Sequence, residues 1–199
     1  MKTQTKKIKT IKENITEAEY KKLMNYTRGK ENIRANTKNN YLRAFTILYY
    51  TGLRVNELQE LRIRNIKELI EDGTTKIILP KTQSERKLYI TDNFRKELIK
   101  LFDFSIEDEE NRVIAKGSSK NKRTGINVIT FIDMINGIIQ EILGSSYTSH
   151  CFRRGIITEM GSKGINTKII SKFVGHADVK TTMRYINPTD EDIQNSLVR

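Results

Sequence analysis

The sequence predicts an α+β domain that is mostly helical and carries a small three-stranded antiparallel sheet. Apolar residues recur at helical spacing over most of the chain, and the period shifts toward two only between residues 65 and 90. The 199 residues, of which 37% are hydrophobic, are enough to form one domain with a sizeable core.

Helix signals mark most of the chain outside residues 65–90. Thr16 and Glu19 form a capping box that opens the first helix, and a Thr91-Asp92 cap opens a later one. The Ile-rich stretch from Val128 to Leu143 is typical of a buried helix. Caps and glycines predict further helices over 38–51, from just after Gly52, over 150–160, from 166, and over 178–186.

The sheet is predicted from three short segments. The stretch 67–70 and the stretch 75–79 flank an Asp72-Gly73 turn, which is a hairpin signal. Pro80 ends the second strand, a polar loop follows it, and 86–90 is the third predicted strand.

The net charge of +12 favours a polyanionic partner, and charge alone leaves both nucleic acid and an anionic membrane open. No apolar run approaches the roughly 20 residues of a membrane helix, and no basic amphipathic helix with bulky apolar residues opposite stands out. The single Cys151 excludes an internal disulfide framework and fits a reducing cytoplasm. One cysteine and two histidines give no usual zinc-ligand spacing.

The chain divides into three parts by composition. Residues 1–13 form a basic arm or linker, residues 14–187 carry the helical and strand patterns, and residues 188–199 form a tail. The tail places Ile193, Leu197 and Val198 at helical spacing, so it can dock on its own domain or on a neighbouring protomer. The acidic run at 107–110 is predicted to be a solvated loop that points away from a polyanion.

Two pairs of polar residues stand out at helical spacing. His150 and Arg153 are three residues apart, so on a helix they share one face and can converge on one ligand. A guanidinium fork beside an imidazole suits a phosphate. Arg54 falls in a first helical turn, where free amides favour an anion, and Glu57 can hold its guanidinium in place. Considered alone, the second pair is an ordinary surface ion pair.

The order of these motifs resembles the catalytic domain of the tyrosine recombinases, the phage-integrase and Xer-type enzymes. The stretch Thr51-Gly52-Leu53-Arg54 with Glu57 comes first, and a hairpin lysine follows it. His150 and Arg153 come next, and then Gly175-His176 and Tyr185. Each motif is weak by itself, but the ordered set is specific, and it covers the chain from about Thr16.

The resemblance implies a role for each residue. Tyr185 is implied to attack a scissile DNA phosphate, forming a 3′-phosphotyrosine and releasing a 5′-hydroxyl. Arg54 and Arg153 would hold the non-bridging oxygens, and His150 would assist proton movement. His176 would add a hydrogen bond, Lys81 would protonate the leaving oxygen, and Glu57 would steady the site. Physical chemistry agrees, because a tyrosine of pKa near 10 is a weak nucleophile until cations stabilise the developing charge.

The resemblance also implies the setting of this chemistry. Its cations come from the protein, so neither a metal nor another cofactor is expected. The expected partner is double-stranded DNA in the cytoplasm at the nucleoid. A homotetramer is expected at synapsis, and a monomer or weak dimer off DNA. Phe152, Arg154 and Val174 depart from the family's commoner residues, and Arg154 leaves a second guanidinium beside the site.

The sequence leaves alternatives open for the domain composition and for the function. Most family members carry an additional N-terminal core-binding domain, so the sequence is either a fragment or resembles the short single-domain members such as the fimbrial-switch invertases. A type IB topoisomerase shares the residue set but reseals its own strand. A non-catalytic DNA-binding regulator on a recombinase scaffold would lack a catalytic residue, and here all of them are present.

Overall fold

The structure, a computed structural model, describes residues 13–80, 83–117 and 122–186, together with Asp190, Gln194 and Leu197. It is mostly helical, as predicted. The helices in chain order are α1 (Glu17–Gly29), α2 (Ala35–Thr51), α3 (Val55–Leu58), α4 (Ile63–Asp72), α5 (Asp92–Leu101), α6 (Val128–Leu143), α7 (His150–Ser162), α8 (Thr167–Val174) and α9 (Val179–Met183).

The core forms around α2, which packs against α1, α5 and α7. Its buried side chains cover more than one face, and Phe45 stacks on Phe152 of α7 at 5.9 Å between ring centroids. The predicted capping box at Thr16 and Glu19 opens α1, so the first helix begins where the sequence places it. Helix α6 has the predicted bounds, with Asn127 accepting hydrogen bonds from the first-turn amides.

Within the described residues the sheet has two strands, and the prediction of three is wrong. Strand β1 (Thr74–Ile78) pairs antiparallel with β2 (Glu85–Tyr89), with Thr74 opposite Tyr89 and Ile78 opposite Glu85. The segment 67–70, predicted as a strand, lies in α4 because Ile63, Ile66 and Leu69 are buried at the three-residue spacing of a helix. Gly73, with φ of 78°, is the left-handed C-cap of α4 and lies just before β1.

A close approach of the chain joins the first half of the molecule to α7. Gly52 ends α2 with φ of 60°, and a Cβ atom there would lie 2.8 Å from Cγ2 of Ile156 in α7. Only glycine combines that backbone conformation with that contact. The glycine therefore brings the segment that follows α2 directly against α7.

The acidic run, predicted as a solvated loop, also forms ion pairs with basic residues of the same chain. Glu107 pairs with Arg43, Glu109 with Lys67, and Glu110 with both Arg62 and Arg64. These four basic side chains are therefore already neutralised in part. Among the helices of the described ranges, none combines the length and apolar character needed to cross a bilayer.

Candidate active site

The centre of the site is the carboxylate of Glu57, which is 3% exposed and faces three arginines from three parts of the chain. Arg54, the N-cap of α3, places Nη1 2.6 Å from Oε1. Arg86 of β2 places Nη1 3.2 Å from Oε2, and Arg153 of α7 places Nη1 3.8 Å from the same atom. A one-turn helix thus fixes Glu57 at the point where α3, β2 and α7 meet.

Arg153 is held by backbone as well as by charge. Its Nη1 donates to the carbonyl of Gly52 at 2.8 Å, and its Nη2 donates to the carbonyl of Val174. Each of these nitrogens carries a second hydrogen that is available for another acceptor. The guanidinium is therefore aimed before any ligand arrives.

His176 follows the left-handed cap of α8 at Gly175 and lies against Arg153. Arg153 Nε lies 3.3 Å from His176 Nε2 and donates to it, so that ring nitrogen is the acceptor. His176 Nδ1 then carries the proton and donates to Thr182 Oγ1 at 2.8 Å. The two contacts fix one neutral tautomer of the ring.

The positive field of the site affects its own members. Burial, followed by the charge of Arg153, lowers the pKa of His176 to about 4, so the ring is neutral at pH 7. Burial, followed by the charges of Arg54 and Arg86, lowers the pKa of Arg153 to about 9, which leaves it charged at pH 7. A site that disfavours its own cations is prepared to bind an anion.

His150, the first residue of α7, is exposed on the same side of the helix as Arg153. With Arg54, Asn136 and Ser149 it lines a small cavity of about 210 Å³. The cavity therefore places the first arginine of the motif set beside the first histidine. Sequence spacing alone pairs His150 with Arg153, and the cavity shows Arg54 as a further neighbour of His150.

Tyr185 lies in the turn after α9, where its amide donates to the carbonyl of Thr182 at 3.0 Å. Its ring centroid is 6.4 Å from that of His176, and the Arg154 guanidinium lies 6.0 Å from the ring. Within the described part of the chain, the buried Nη1 of Arg154 has no hydrogen-bond partner. The structure thus brings six of the predicted site residues close together: Arg54, Glu57, His150, Arg153, His176 and Tyr185.

Lys81, the remaining candidate, lies outside the described residues. Lys87 is exposed on β2 opposite Lys76, so strand pairing fixes its direction. Arg86 is the member of the cluster that the sequence does not predict. In the sequence Arg86 is one residue of a predicted strand with no motif around it, and its partners Thr51, Glu57 and Phe173 are distant in the chain. Across the described ranges, His, Cys, Asp and Glu side chains form no group of three or more that could hold a metal ion.

This fold is that of the tyrosine-recombinase catalytic domain, and solved structures share it. The XerA recombinase superposes with a TM-score of 0.69 at 20% identity, covering 92% of this chain and 63% of that one. The Tn1549 transposon integrase, solved in complex with a circular intermediate DNA, gives a TM-score of 0.71 at 17% identity, covering 95% and 66%.

The sequence comparisons assign the family. The profile of the phage integrase family matches residues 13–192, and the chain belongs to that family. Tyrosine recombinase XerC of Treponema denticola is 28% identical over 167 residues, 76% of this chain and 52% of the relative. Tyrosine recombinase XerA of Pyrococcus furiosus is 28% identical over 191 residues, 96% of this chain and 63% of the relative. The chain thus spans between half and two thirds of these relatives' length.

Proposed function

We propose that this chain is a site-specific DNA recombinase that cuts and rejoins strands through a covalent 3′-phosphotyrosine on Tyr185. The observation that carries the proposal is that Arg54 and Arg153 both face the buried Glu57 and that Arg153 also bonds His176. Three guanidiniums against one carboxylate leave a net charge of plus two, since Arg86 adds the third. Such a fixed positive site stabilises the charge that a phosphoryl transition state spreads over its equatorial oxygens.

In the proposed chemistry one phosphodiester bond is exchanged for another, so the energy of the cleaved DNA bond is kept in the protein–DNA link. The Tyr185 oxygen bonds to phosphorus while the bond from phosphorus to the 5′-oxygen breaks. The phenol proton leaves toward His150, and the 5′-oxygen takes a proton from Lys81. Arg54 and Arg153 hold the non-bridging oxygens. Rejoining is the reverse reaction with a new 5′-hydroxyl, so it needs no nucleotide.

Residues 14–187 are proposed as the catalytic unit, which the family match over 13–192 supports. Double-stranded DNA is the proposed partner, because the chain carries a net charge of +12 and structural relatives were solved in complex with DNA. The proposed site of action is the cytoplasmic nucleoid. A tagged protein that does not colocalise with DNA in cells would contradict that location.

Synapsis is proposed to involve a homotetramer, with a monomer or weak dimer off DNA. The tail at 188–199 is proposed to dock on a neighbouring protomer through Ile193, Leu197 and Val198. Ile193 and Val198 lie outside the described residues, and Leu197 is 72% exposed. Deleting 190–199 should impair assembly on DNA, measured by light scattering, more than it lowers the Tm. Normal recombination by the truncated protein would contradict the docking.

Lys81 is proposed as the acid in preference to Lys87, because Lys87 is fixed within β2. A positioned acid contributes about 10²–10⁴ in rate, so Lys81→Ala should slow cleavage by that order with little change in DNA affinity. A substrate with sulfur in place of the bridging 5′-oxygen needs no acid and should restore the rate. Rescue of Lys87→Ala alone by that substrate would assign the role to Lys87.

One experiment separates recombination from strand nicking and resealing. Supercoiled DNA with two copies of the target site is incubated with the protein in EDTA, without nucleotide. A recombinase yields exchanged products that depend on both sites. Relaxation without exchange would support the type IB topoisomerase alternative, and binding without cleavage would support a non-catalytic regulator. A strict Mg²⁺ requirement for cleavage of naked DNA would count against the proposed chemistry.

A further inference from the structure

Arg86 uses its whole guanidinium to join three separate parts of the chain. Its Nε donates to the carbonyl of Phe173 at 2.9 Å, and its Nη2 donates to the carbonyl of Thr51 at 2.5 Å. Its Nη1 lies 3.2 Å from Glu57 Oε2. The planar fork of arginine is the only side chain that can serve three acceptors in these directions.

The contacts of Arg86 run parallel to those of Arg153. Arg86 bonds the carbonyls of Thr51 and Phe173, and Arg153 bonds the carbonyls of the next residues, Gly52 and Val174. Both guanidiniums also face the same Glu57 oxygen. Two arginines from different elements therefore fasten the same two segments, one residue apart. One segment leads into Arg54, and the other leads into His176.

The two arginines are about equally buried, with Arg153 at 5% exposed, and a difference in their contacts separates their roles: Arg153 bonds His176 of the site, whereas Arg86 bonds Glu57. Arg86 is 3% exposed and lies under Phe173, with its guanidinium 5.9 Å from that ring. All three of its nitrogens already have acceptors within the protein. These acceptors are two backbone carbonyls and Glu57, so Arg86 acts on the chemistry through the groups that it holds.

We propose that Arg86 is a positioning residue that locks the segments 51–54 and 173–176 together, so that Arg54, Arg153 and His176 are aligned before DNA binds. The inference rests on the proposed function. Misplacing a reacting group by about 1 Å costs about 10²-fold in rate, so a residue that sets this spacing controls the rate of the chemical step. Affinity for DNA depends on many phosphate contacts and is expected to change little.

The test compares Arg86→Gln and Arg86→Lys with a matched control. Arg43→Gln removes an arginine that likewise bonds a backbone carbonyl, that of Leu101, and pairs with Glu107 away from the site. Single-turnover formation of the covalent adduct is measured at saturating nicked DNA, and the Kd for intact DNA is measured separately. Arg86→Gln should lose about 10²-fold in rate with an unchanged Kd. Arg86→Lys should recover part of the rate, because an ammonium can still serve Glu57.

Arg43→Gln should lose stability and keep the cleavage rate. Cleavage by Arg86→Gln within twofold of wild type would overturn the proposal. So would equal rate losses in Arg86→Gln and Arg43→Gln, which would make the role merely structural. If Arg86→Gln does not fold, Arg86→Lys decides the matter by the same criteria.

A spectroscopic measurement separates this inference from the proposed function. The chain has two histidines, so the side-chain nitrogen signals of His176 are readily assigned by NMR. In wild type they should report a single tautomer with the proton on Nδ1. In Arg86→Lys we expect a mixture of tautomers, and an unchanged single tautomer would overturn the positioning role. A wild-type protein that forms no adduct would refute the proposed function and leave this result to be judged independently.

Discussion

Replacing Glu57 with glutamine tests whether the buried carboxylate holds the cluster together. Glutamine has nearly the same size, so Glu57→Gln removes the charge without opening a cavity. The side chains of Arg86 and Glu57 are 2% and 4% exposed, and Arg153 is similarly buried at 6%. Breaking one partner of such a buried pair costs about 3–5 kcal/mol, because the remaining charges lose their compensation. Arg54 is 36% exposed and adds little.

The assay is thermal unfolding, followed by urea titration, in a buffer free of sulfate and phosphate. For a domain of this size, a loss of about 3–5 kcal/mol lowers the Tm by roughly 6–20 °C. Glu60→Gln is the control, since Glu60 is 43% exposed and pairs with Arg112 at 2.8 Å. That control should cost at most about 1 kcal/mol. Equal Tm shifts in the two variants would refute the view that Glu57 organises the arginines.

Three further predictions concern the same structure. Affinity for DNA should fall steeply with salt, by about 0.9 in log K per phosphate neutralised for each decade of salt concentration, and a salt-insensitive affinity would exclude DNA as the partner. Because the folded pKa of His176 lies near 4, below its ordinary 6.5, the unfolded state binds more protons between those values, and stability rises with pH across that window. His176→Gln should flatten the rise in urea titrations at several pH values, whereas parallel curves would contradict the neutral, buried ring. Gly52→Ala should destabilise by more than about 1 kcal/mol, because φ is positive and Ile156 is in the way. Gly137→Ala, in open space within α6, should instead stabilise by roughly 0.5–1 kcal/mol, and the opposite order of the two Tm shifts would contradict this packing.

The predictable parts of the fold are those whose signals are local. The capping box at Thr16 and the bounds of α6 follow from neighbouring residues, and both are confirmed. The stretch 67–70 is predicted as a strand from the Asp72-Gly73 turn that follows it, but its four residues fit either period. The spacing of Ile63, Ile66 and Leu69 over a longer window is helical, and tertiary burial decides in its favour.

The site residues also differ in whether a local sequence signal predicts them. The order of the motifs predicts five site residues, because each lies at a fixed distance in sequence from a glycine or a helix start: Arg54, His150, Arg153, His176 and Tyr185. Burial of Glu57 and Arg86 is set by segments far apart in the chain, from residue 51 to residue 173. No local sequence pattern predicts a contact between segments so far apart in the chain. The spacing of Arg54 and Glu57 alone predicts a surface ion pair. In the structure the Glu57 side chain of this pair is buried, at 4% exposed, while Arg54 is 36% exposed.

The central claim is that Tyr185 is the nucleophile. The direct measurement is incubation of wild type and Tyr185→Phe with a nicked suicide substrate that carries the target site, followed by denaturing electrophoresis and peptide mapping. Wild type should form a covalent protein–DNA adduct that maps to Tyr185. The phenylalanine variant should bind the DNA with similar affinity and form no adduct. An adduct that persists in the variant and maps to Tyr41 or Tyr147 would contradict the assignment.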